Sequence, residues 1–172
     1  MELHGSKCTL RPFRTEDAEE LAIVANNRNI WRNLTSRFPH PYAIEDAQSF
    51  IARSSDESMA GRIFCIEVEG RVSGGIGCHR LEDAIHEHEL EFGYWLAEPC
   101  WGRGIATEAC KLMVDHIFSR FGVMRLQACV FGWNPASARV LEKNGFTLEG
   151  RLRKAVKKGD EYCDMLIYGL VR

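Results

Sequence analysis

The sequence predicts an α/β protein: one mixed, mostly antiparallel sheet of about seven strands with helices on both faces. Three observations lead there. Strand-like alternation and helical periodicity follow one another along a single 172-residue chain, so strands and helices are expected to share one domain over residues 1–172. Two pairs of strand-like runs, within 62–80 and 146–170, are joined by short Gly-containing turns, which makes them antiparallel hairpins. Finally, the apolar run from Leu90 to Ala97 passes through two glycines directly into a long helical stretch.

Taken in order, Lys7 to Pro12 alternates as a first strand and ends at its proline. Thr15 is the expected N-cap of a helix whose early turns carry Glu16, Asp17, Glu19 and Glu20, where carboxylates suit the positive helix end. Ala18, Leu21, Ala22 and Ala25 give it an apolar stripe. Between 26 and 42 the pattern is irregular, and Trp31, Phe38 and Tyr42 stand among prolines. Such aromatics either plug a core edge or wall a substrate groove, and both readings stay open here. A second helix, Ile44 to Arg53, is expected to pack on the first.

Arg62 to Val68 and Arg71 to Arg80 then form a hairpin across Glu69-Gly70. Gly74, Gly75 and Gly77 crowd its second strand, which suggests a bulge or a close approach of other atoms, with simple tight packing as the competing explanation. Glu82 to Glu91 is acidic, with Arg80 as its only nearby base. It is either a solvated loop or a surface that attracts an amine. The next helix, Thr107 to Arg120, buries Ala109, Leu112, Met113, His116 and Ile117 and stops around Gly122. Arg125 to Phe131 is a strand. Asn134 caps a further helix with Pro135 at its first position and Asn144-Gly145 at its end. Phe146 to Leu152 and Tyr162 to Leu170 close the sheet, and the basic residues Arg151, Arg153, Lys154, Lys157 and Lys158 suit a guarded strand edge.

Composition narrows the function classes. Lys plus Arg is 22 and Asp plus Glu is 24, a net charge of −2, so nothing global points to nucleic acid. Met1 to Gly5 lacks the layout of a signal peptide and no apolar run approaches a membrane span, so a cytoplasmic protein without membrane contact is expected. Seven cysteines occur singly, which suits reduced core residues. His86-Glu87-His88 near Cys78-His79 has no second ligand pair at zinc-site spacing, so no metal is expected.

The informative stretch is Cys100-Trp101-Gly102-Arg103-Gly104-Ile105-Ala106-Thr107-Glu108-Ala109. The first backbone N–H groups of a helix have no partner within it, and glycines let a ligand approach them, so this junction is an anion site. The nucleotide P-loop needs a Gly-Lys-Ser/Thr ending that is absent. The dinucleotide fingerprint needs a third glycine where Thr107 stands. Just upstream, Glu91 lies inside a strand, where a carboxylate needs a reason to be.

Three motifs together resemble the GNAT superfamily of acetyl-coenzyme A-dependent N-acetyltransferases, and within it the branch that holds the RimJ/RimL ribosomal-protein acetyltransferases. They are Glu91-Phe92-Gly93-Tyr94-Trp95-Leu96, Trp101 through Ala109, and Asn134-Pro135-Ala136-Ser137 running to Glu142-Lys143-Asn144-Gly145-Phe146. Leu10-Arg11-Pro12 and Thr15-Glu16-Asp17-Ala18 also resemble the family's opening, so the likeness spans nearly the whole chain. It implies a sheet whose middle strands splay, with the pantetheine arm of acetyl-CoA along the backbone of Tyr94, Trp95 and Leu96. The pyrophosphate would rest on the N–H groups of Trp101, Gly102, Arg103, Gly104, Ile105 and Ala106, with Thr107 adjoining. Asn134 and Ser137 would flank the thiol end. The junction's usual Gln or Arg is Trp101 here, as in the RimJ/RimL branch. Many members carry a tyrosine general acid where this chain has Leu141, so no tyrosine acid carries over.

The reaction so implied is direct attack of a neutral amine on the thioester in a ternary complex. Glu91 is the candidate base, alone or through water, and Ser137 the candidate donor to the leaving thiolate. Each has a structural alternative: a strand carboxylate that only accepts hydrogen bonds, and a serine that only holds ligand or backbone. A cysteine acyl-enzyme at Cys100 has no His/Asn or His/Asp partner in the sequence to support it. The expected acceptor is a protein N-terminal α-amine, with a polyamine, amino acid or antibiotic amine as alternative. A non-catalytic acyl-CoA-binding module is the reading from a different class, and a homodimer stays open.

Overall fold

The computed structural model describes all 172 residues. Its strands are β1 (Leu3–His4), β2 (Thr9–Arg11), β3 (Ile63–Val68), β4 (Arg71–Arg80), β5 (Glu89–Leu96), β6 (Arg125–Phe131), β7 (Thr147–Lys158) and β8 (Glu161–Val171). Its helices are α1 (Ala18–Ala25), α2 (Arg28–Trp31), α3 (Ile44–Ser54), α4 (Ile105–Phe121) and α5 (Pro135–Lys143). Hydrogen bonding orders the strands β1-β2-β3-β4-β5-β6-β8-β7, eight where the sequence suggested about seven. The additional strand is β1, a two-residue segment paired with Thr9 and Leu10. The chain divides into two compact units. One comprises residues 1–77 and 94–113, the other 78–93 and 114–172.

In the first unit, β2, β3 and β4 form an antiparallel set, with a bulge in β3 at Ile66/Glu67. Leu21, Ala25, Ala47 and Ile51 from α1 and α3 pack with Phe13, Cys65 and Val72. Full burial of a side chain such as Leu21 contributes about 1.5–3 kcal/mol. The start of α1 departs from the expected threonine cap. A 3₁₀ turn, Thr15–Asp17, precedes the helix, and the Asp17 carboxylate accepts from the Arg14 N–H at 2.7 Å and from both Arg11 terminal nitrogens at 2.7 and 2.9 Å. Burial opposes the charged form of Asp17, but these donors win and hold its carboxyl below the usual range. Tertiary pairing with Arg11 therefore decides which residue caps.

The glycines of β4 answer a close approach. A Cβ on Gly74 would overlap the Trp95 carbonyl oxygen, and one on Gly75 would come within 2.9 Å of the Trp95 indole nitrogen. The backbone of β5 at Gly74, and the Trp95 indole at Gly75, can lie so near only because these positions lack side chains. The following Ala97 N–H donates to the Ser73 carbonyl at 2.7 Å.

In the second unit β6 is the organising strand. It pairs antiparallel with β8 along its full length, from Arg125↔Val171 to Phe131↔Met165. On its other edge it runs parallel to β5, but only Glu89, Leu90 and Glu91 are in register, opposite Arg125, Leu126 and Gln127. The β5-facing edge of β6 is thus without a strand partner from Ala128 onward. Helix α5 begins as expected: Asn134 Oδ1 accepts from the Ser137 N–H at 3.2 Å, and Pro135 stands at the first turn. Leu141 is 1% exposed, so the residue at the family's tyrosine position is part of the core. Strand β7 continues to Lys158, past the expected end at Leu152, through an irregularity between Leu152 and Val156 where Lys154 has φ 52°. It is the terminal strand of the sheet and carries the basic cluster, and a bulge there twists the edge against pairing with other chains.

Candidate functional site

The glycine junction forms as the sequence suggested. Trp101 ends a 3₁₀ turn (Glu98–Cys100), and its indole N–H donates to the Leu96 carbonyl at 2.7 Å, tying the loop back to the end of β5. Gly102 and Gly104 have φ of 73° and 77°, a region that other residues adopt at a cost. Nothing lies within 4 Å of where a Cβ on Gly102 would stand. Residues 101–104 are exposed, whereas Ile105 at the start of α4 is 2% exposed and anchors the helix. Backbone N–H groups at an open, glycine-lined helix start fit a phosphate group, and Arg103 adds a cation. Its guanidinium donates to the Glu69 carboxylate at 3.1 Å, both ends well exposed, so the pair is easily opened.

Two residues that sequence reasoning did not assign hold this junction in place. The Glu108 carboxylate accepts from the Ser6 hydroxyl at 2.6 Å and from the N–H groups of Ser6, Lys7 and Cys8 at 3.0, 2.7 and 3.1 Å. The Lys7 ammonium donates to the Arg103 carbonyl at 2.9 Å. The segment 5–9, the turn at Glu69-Gly70, Arg103 and Ile105 line a cavity of about 490 Å³. No local signal marks these roles, because Glu108 reads as an ordinary first-turn carboxylate and its partners lie about a hundred residues away.

Burial opposes the Glu108 charge, but its four donors outweigh it and take the carboxyl down to about 2. A carboxyl depressed in the folded state gives stability that is present above its ordinary value of 4.5 and is lost as pH falls from there toward about 2. Replacing Glu108 by alanine is expected to cost about 2 kcal/mol at pH 7, allowing for partial solvent screening, and to lower Tm by about 4–8 °C. The difference from wild type should shrink between pH 4.5 and 2. Thermal melts of both proteins across that window check it, and equal Tm values at pH 7 would refute the tether.

Of the expected arm-binding residues, Tyr94 and Trp95 are half-buried and Leu96 is buried. Trp95 stacks edge-on against Phe38, centroids 5.5 Å apart, and Phe38 lies 4.8 Å from Tyr42. Tyr42 is 7% exposed and belongs to the α1–α3 core, and burial pushes its hydroxyl up to about 12. Of the three aromatics weighed as groove walls, only Phe38 and Trp31 therefore present appreciable surface. Trp31 stacks at 5.7 Å on His40.

In the second unit, Glu91 and Gln127 are the last in-register pair of the β5–β6 ladder. Glu91 is half-buried, and its carboxylate takes part in no hydrogen bond or ion pair within the protein. Burial, and then the Glu91 charge, push the Cys129 thiol up. Ser137 is half-buried in the first turn of α5, beside the Asn134 cap.

The acidic stretch is also better supplied with cations than Arg80 alone suggests. Glu89, 6% exposed, is paired with His86 and with Arg125 at 2.8 Å. Burial works against its charge, and these two partners hold its carboxyl below the usual range. His86 is thereby committed to a carboxylate, and no group of three or more His, Cys, Asp or Glu side chains is arranged to hold a metal ion. All seven cysteines are free, and no helix is long and apolar enough to cross a membrane.

Comparison with known proteins agrees with this geometry. Residues 7–147 match the family model of the acetyltransferase (GNAT) domain. A probable N-acetyltransferase of Bacillus subtilis, YjcK, is 32% identical over 162 residues, covering 90% of this chain and 88% of the relative. Two Escherichia coli relatives act on different amines by name. The ribosomal-protein-serine acetyltransferase is 32% identical over 110 residues, 64% of this chain and 60% of the relative. The spermidine N(1)-acetyltransferase is 28% identical over 144 residues, 83% and 74%. Among solved structures, Mycobacterium smegmatis RimJ in complex with CoA-disulfide superposes with a TM-score of 0.82 at 26% identity, covering 95% of this chain and 81% of that one. The protein belongs to the GNAT acetyltransferase family and is an acetyl-CoA-dependent N-acetyltransferase.

Proposed function

We propose that the protein moves the acetyl group of acetyl-CoA to a protein N-terminal α-amine, by direct attack within a ternary complex. The observation that carries the transfer is the early end of the β5–β6 ladder, which leaves a carboxylate with no internal partner where the strand pairing stops. The N–H groups of Trp101 to Ala106, with Arg103 and Thr107, hold the pyrophosphate. Backbone groups of Tyr94, Trp95 and Leu96 take the pantetheine arm, and Asn134 and Ser137 its thiol end. Acetyl-CoA supplies the activated acyl group; everything else is positioning and proton handling by the chain.

An ammonium has no lone pair, so the acceptor must lose a proton before it attacks. Glu91 takes that proton, directly or through water, and backbone N–H donors stabilise the developing oxyanion. Ser137 donates to the departing thiolate, and Phe38 and Trp31 flank the acceptor. Ser137→Ala is expected to lower kcat about tenfold with less than a twofold change in the KM for acetyl-CoA. Equal losses in both would reduce Ser137 to a ligand contact.

The acceptor class rests on the ribosomal-protein relative; Trp31 and Phe38, both only partly buried, are the aromatic surface assigned to it. Free thiols throughout suit a reducing cytoplasm. The test is thiol release from acetyl-CoA with a panel of peptides bearing a free N-terminal serine, and with spermidine, free amino acids and aminoglycosides. A kcat/KM for the peptides at least tenfold above the others is the expected result. A preference for spermidine would move the acceptor to polyamines, and thermal stabilisation by acetyl-CoA without thiol release on any amine would leave a binding module.

A further inference from the structure

We propose that Glu98 is a positioning residue for the amine acceptor: through the side chains of Asn27 and Asn29 it fixes helix α2, and with it Trp31, against the turn that leads into the acetyl-CoA junction. The inference rests on the reading of Trp31 as a wall of the acceptor site, and it names what holds that wall. Glu98 opens the 3₁₀ turn Glu98–Cys100, between Leu96, assigned to the pantetheine arm, and Trp101, where the pyrophosphate cradle begins. Its carboxylate accepts from Asn27 Nδ2 at 2.7 Å and from Asn29 Nδ2 at 3.1 and 3.2 Å. The two partners stand 71 and 69 residues earlier in the chain.

The hydrogen bonding fixes which way the Asn27 amide faces. Its Oδ1 accepts from the N–H groups of Asn29 and Ile30, at 2.8 and 3.3 Å, and so caps α2. With the oxygen committed to donors, the amide nitrogen is the atom left to meet a carboxylate. One orientation therefore serves both the cap and the clamp. The Asn27 amide, and then that of Asn29, hold the Glu98 carboxyl below the usual carboxylate range, so it stays ionised at any pH where an amine is acetylated.

Helix α2 has four residues, far too few to hold itself in water. Its placement comes from outside. Ile30, 3% exposed, anchors one side, and Asn26 Oδ1 accepts from the Tyr42 N–H at 3.0 Å to close the far end of the loop. A single apolar anchor leaves the helix free to turn about it. The Glu98 carboxylate removes that freedom, and Trp31, next to Ile30, inherits its direction. The other side of the clamp is equally fixed: the Cys100 N–H donates to the Ala97 carbonyl at 2.9 Å, the Trp101 N–H to the Glu98 carbonyl at 3.1 Å, and the Trp101 indole to Leu96. Glu98 and Asn29 are exposed, and hydrogen bonds that exchange readily with water add little to stability. What this contact supplies is registry between the acceptor wall and the donor site.

The experiment compares Glu98→Ala, Glu98→Gln, Asn29→Ala and Trp31→Ala with wild type by thiol release, varying acetyl-CoA and the panel amine that wild type turns over fastest, with Tm as the check of fold. In Glu98→Ala the KM for the amine should rise about tenfold while the KM for acetyl-CoA stays within about twofold and Tm within about 2 °C. Asn29→Ala, which leaves the Asn27 cap in place, should raise the amine KM about threefold, and it carries the test if Glu98→Ala does not fold. Glu98 Oε2 alone accepts from both amides. Glu98→Gln keeps one such oxygen and should therefore bring the amine KM back to within about threefold of wild type. A glutamine variant as impaired as the alanine one would mean that the carboxylate binds the ammonium directly, and would overturn the clamp. So would an amine KM unchanged in Glu98→Ala, or equal rises in both KM values. If Trp31→Ala raises the amine KM and Glu98→Ala does not, Glu98 alone loses its role. If Trp31→Ala keeps the wild-type amine KM, the acceptor wall is overturned and this inference with it.

Discussion

Substituting glutamine for Glu91 is expected to lower kcat about 100-fold or more at neutral pH while leaving acetyl-CoA affinity within about twofold of wild type. The isostere keeps the shape and the strand, and Gln127 and Cys129 remain as neighbours. What it removes is the ability to accept a proton. Because no side chain donates to the Glu91 carboxylate, the substitution breaks no internal hydrogen bond, so loss of activity cannot be ascribed to loss of fold. Binding should be spared because the pyrophosphate and arm contacts are assigned to backbone groups of residues 94–107 and to Arg103, none of which the substitution alters. The residual rate should depend on the acceptor, with weakly basic amines, which are already partly neutral, losing least. Unchanged kcat across the pH range would transfer the proton to water and leave positioning as the main catalytic term.

Legibility in the sequence follows how local each determinant is. Helix α5 was readable to within a residue because Pro135 opens it and its Asn134 cap and Gly145 stop lie directly beside its ends. Strand β6 was readable because its buried alternation at Leu126, Ala128 and Val130 is complete. The start of α1 was misread at Thr15 because Asp17 is fixed by Arg11, a residue of another element. β1 and the far half of β7 escaped for opposite reasons: one is too short to show a period, and the other is exposed along most of its length and broken at Lys154. Tyr42, set beside prolines in an irregular stretch of the sequence, could not be recognised as core without knowing that α1 and α3 close over it.

The site divides in the same way. Gly102, Gly104 and the strand before them announce an anion cradle in consecutive residues. Glu91 was conspicuous because a carboxylate inside a strand conflicts with its surroundings. Glu108 and Lys7 carry no such conflict. A carboxylate in the first turn of a helix and a lysine in a loop are each ordinary, and their roles exist only through partners placed by the fold.

Gly104→Val is expected to weaken acetyl-CoA binding about 100-fold or more with the remainder of the fold retained. At φ 77° a β-branched residue is strongly disfavoured, at a cost of about 1–3 kcal/mol, and the loop from Trp101 to Ile105 must change conformation to relieve it. Contact is the lesser obstacle, since the nearest atom to an added Cβ is the Lys7 ammonium nitrogen at 3.1 Å, the end of a flexible side chain. Once the loop turns, the N–H groups at the start of α4 no longer converge. Losing two hydrogen bonds to a charged phosphate, at about 1.5–3 kcal/mol each, accounts for the loss of affinity. Gly104→Asn separates the causes, because asparagine tolerates the left-handed region and should recover binding to within about tenfold of wild type. Calorimetric titration with acetyl-CoA and with free coenzyme A measures both variants. A valine variant that binds coenzyme A as tightly as wild type would remove the junction from the site.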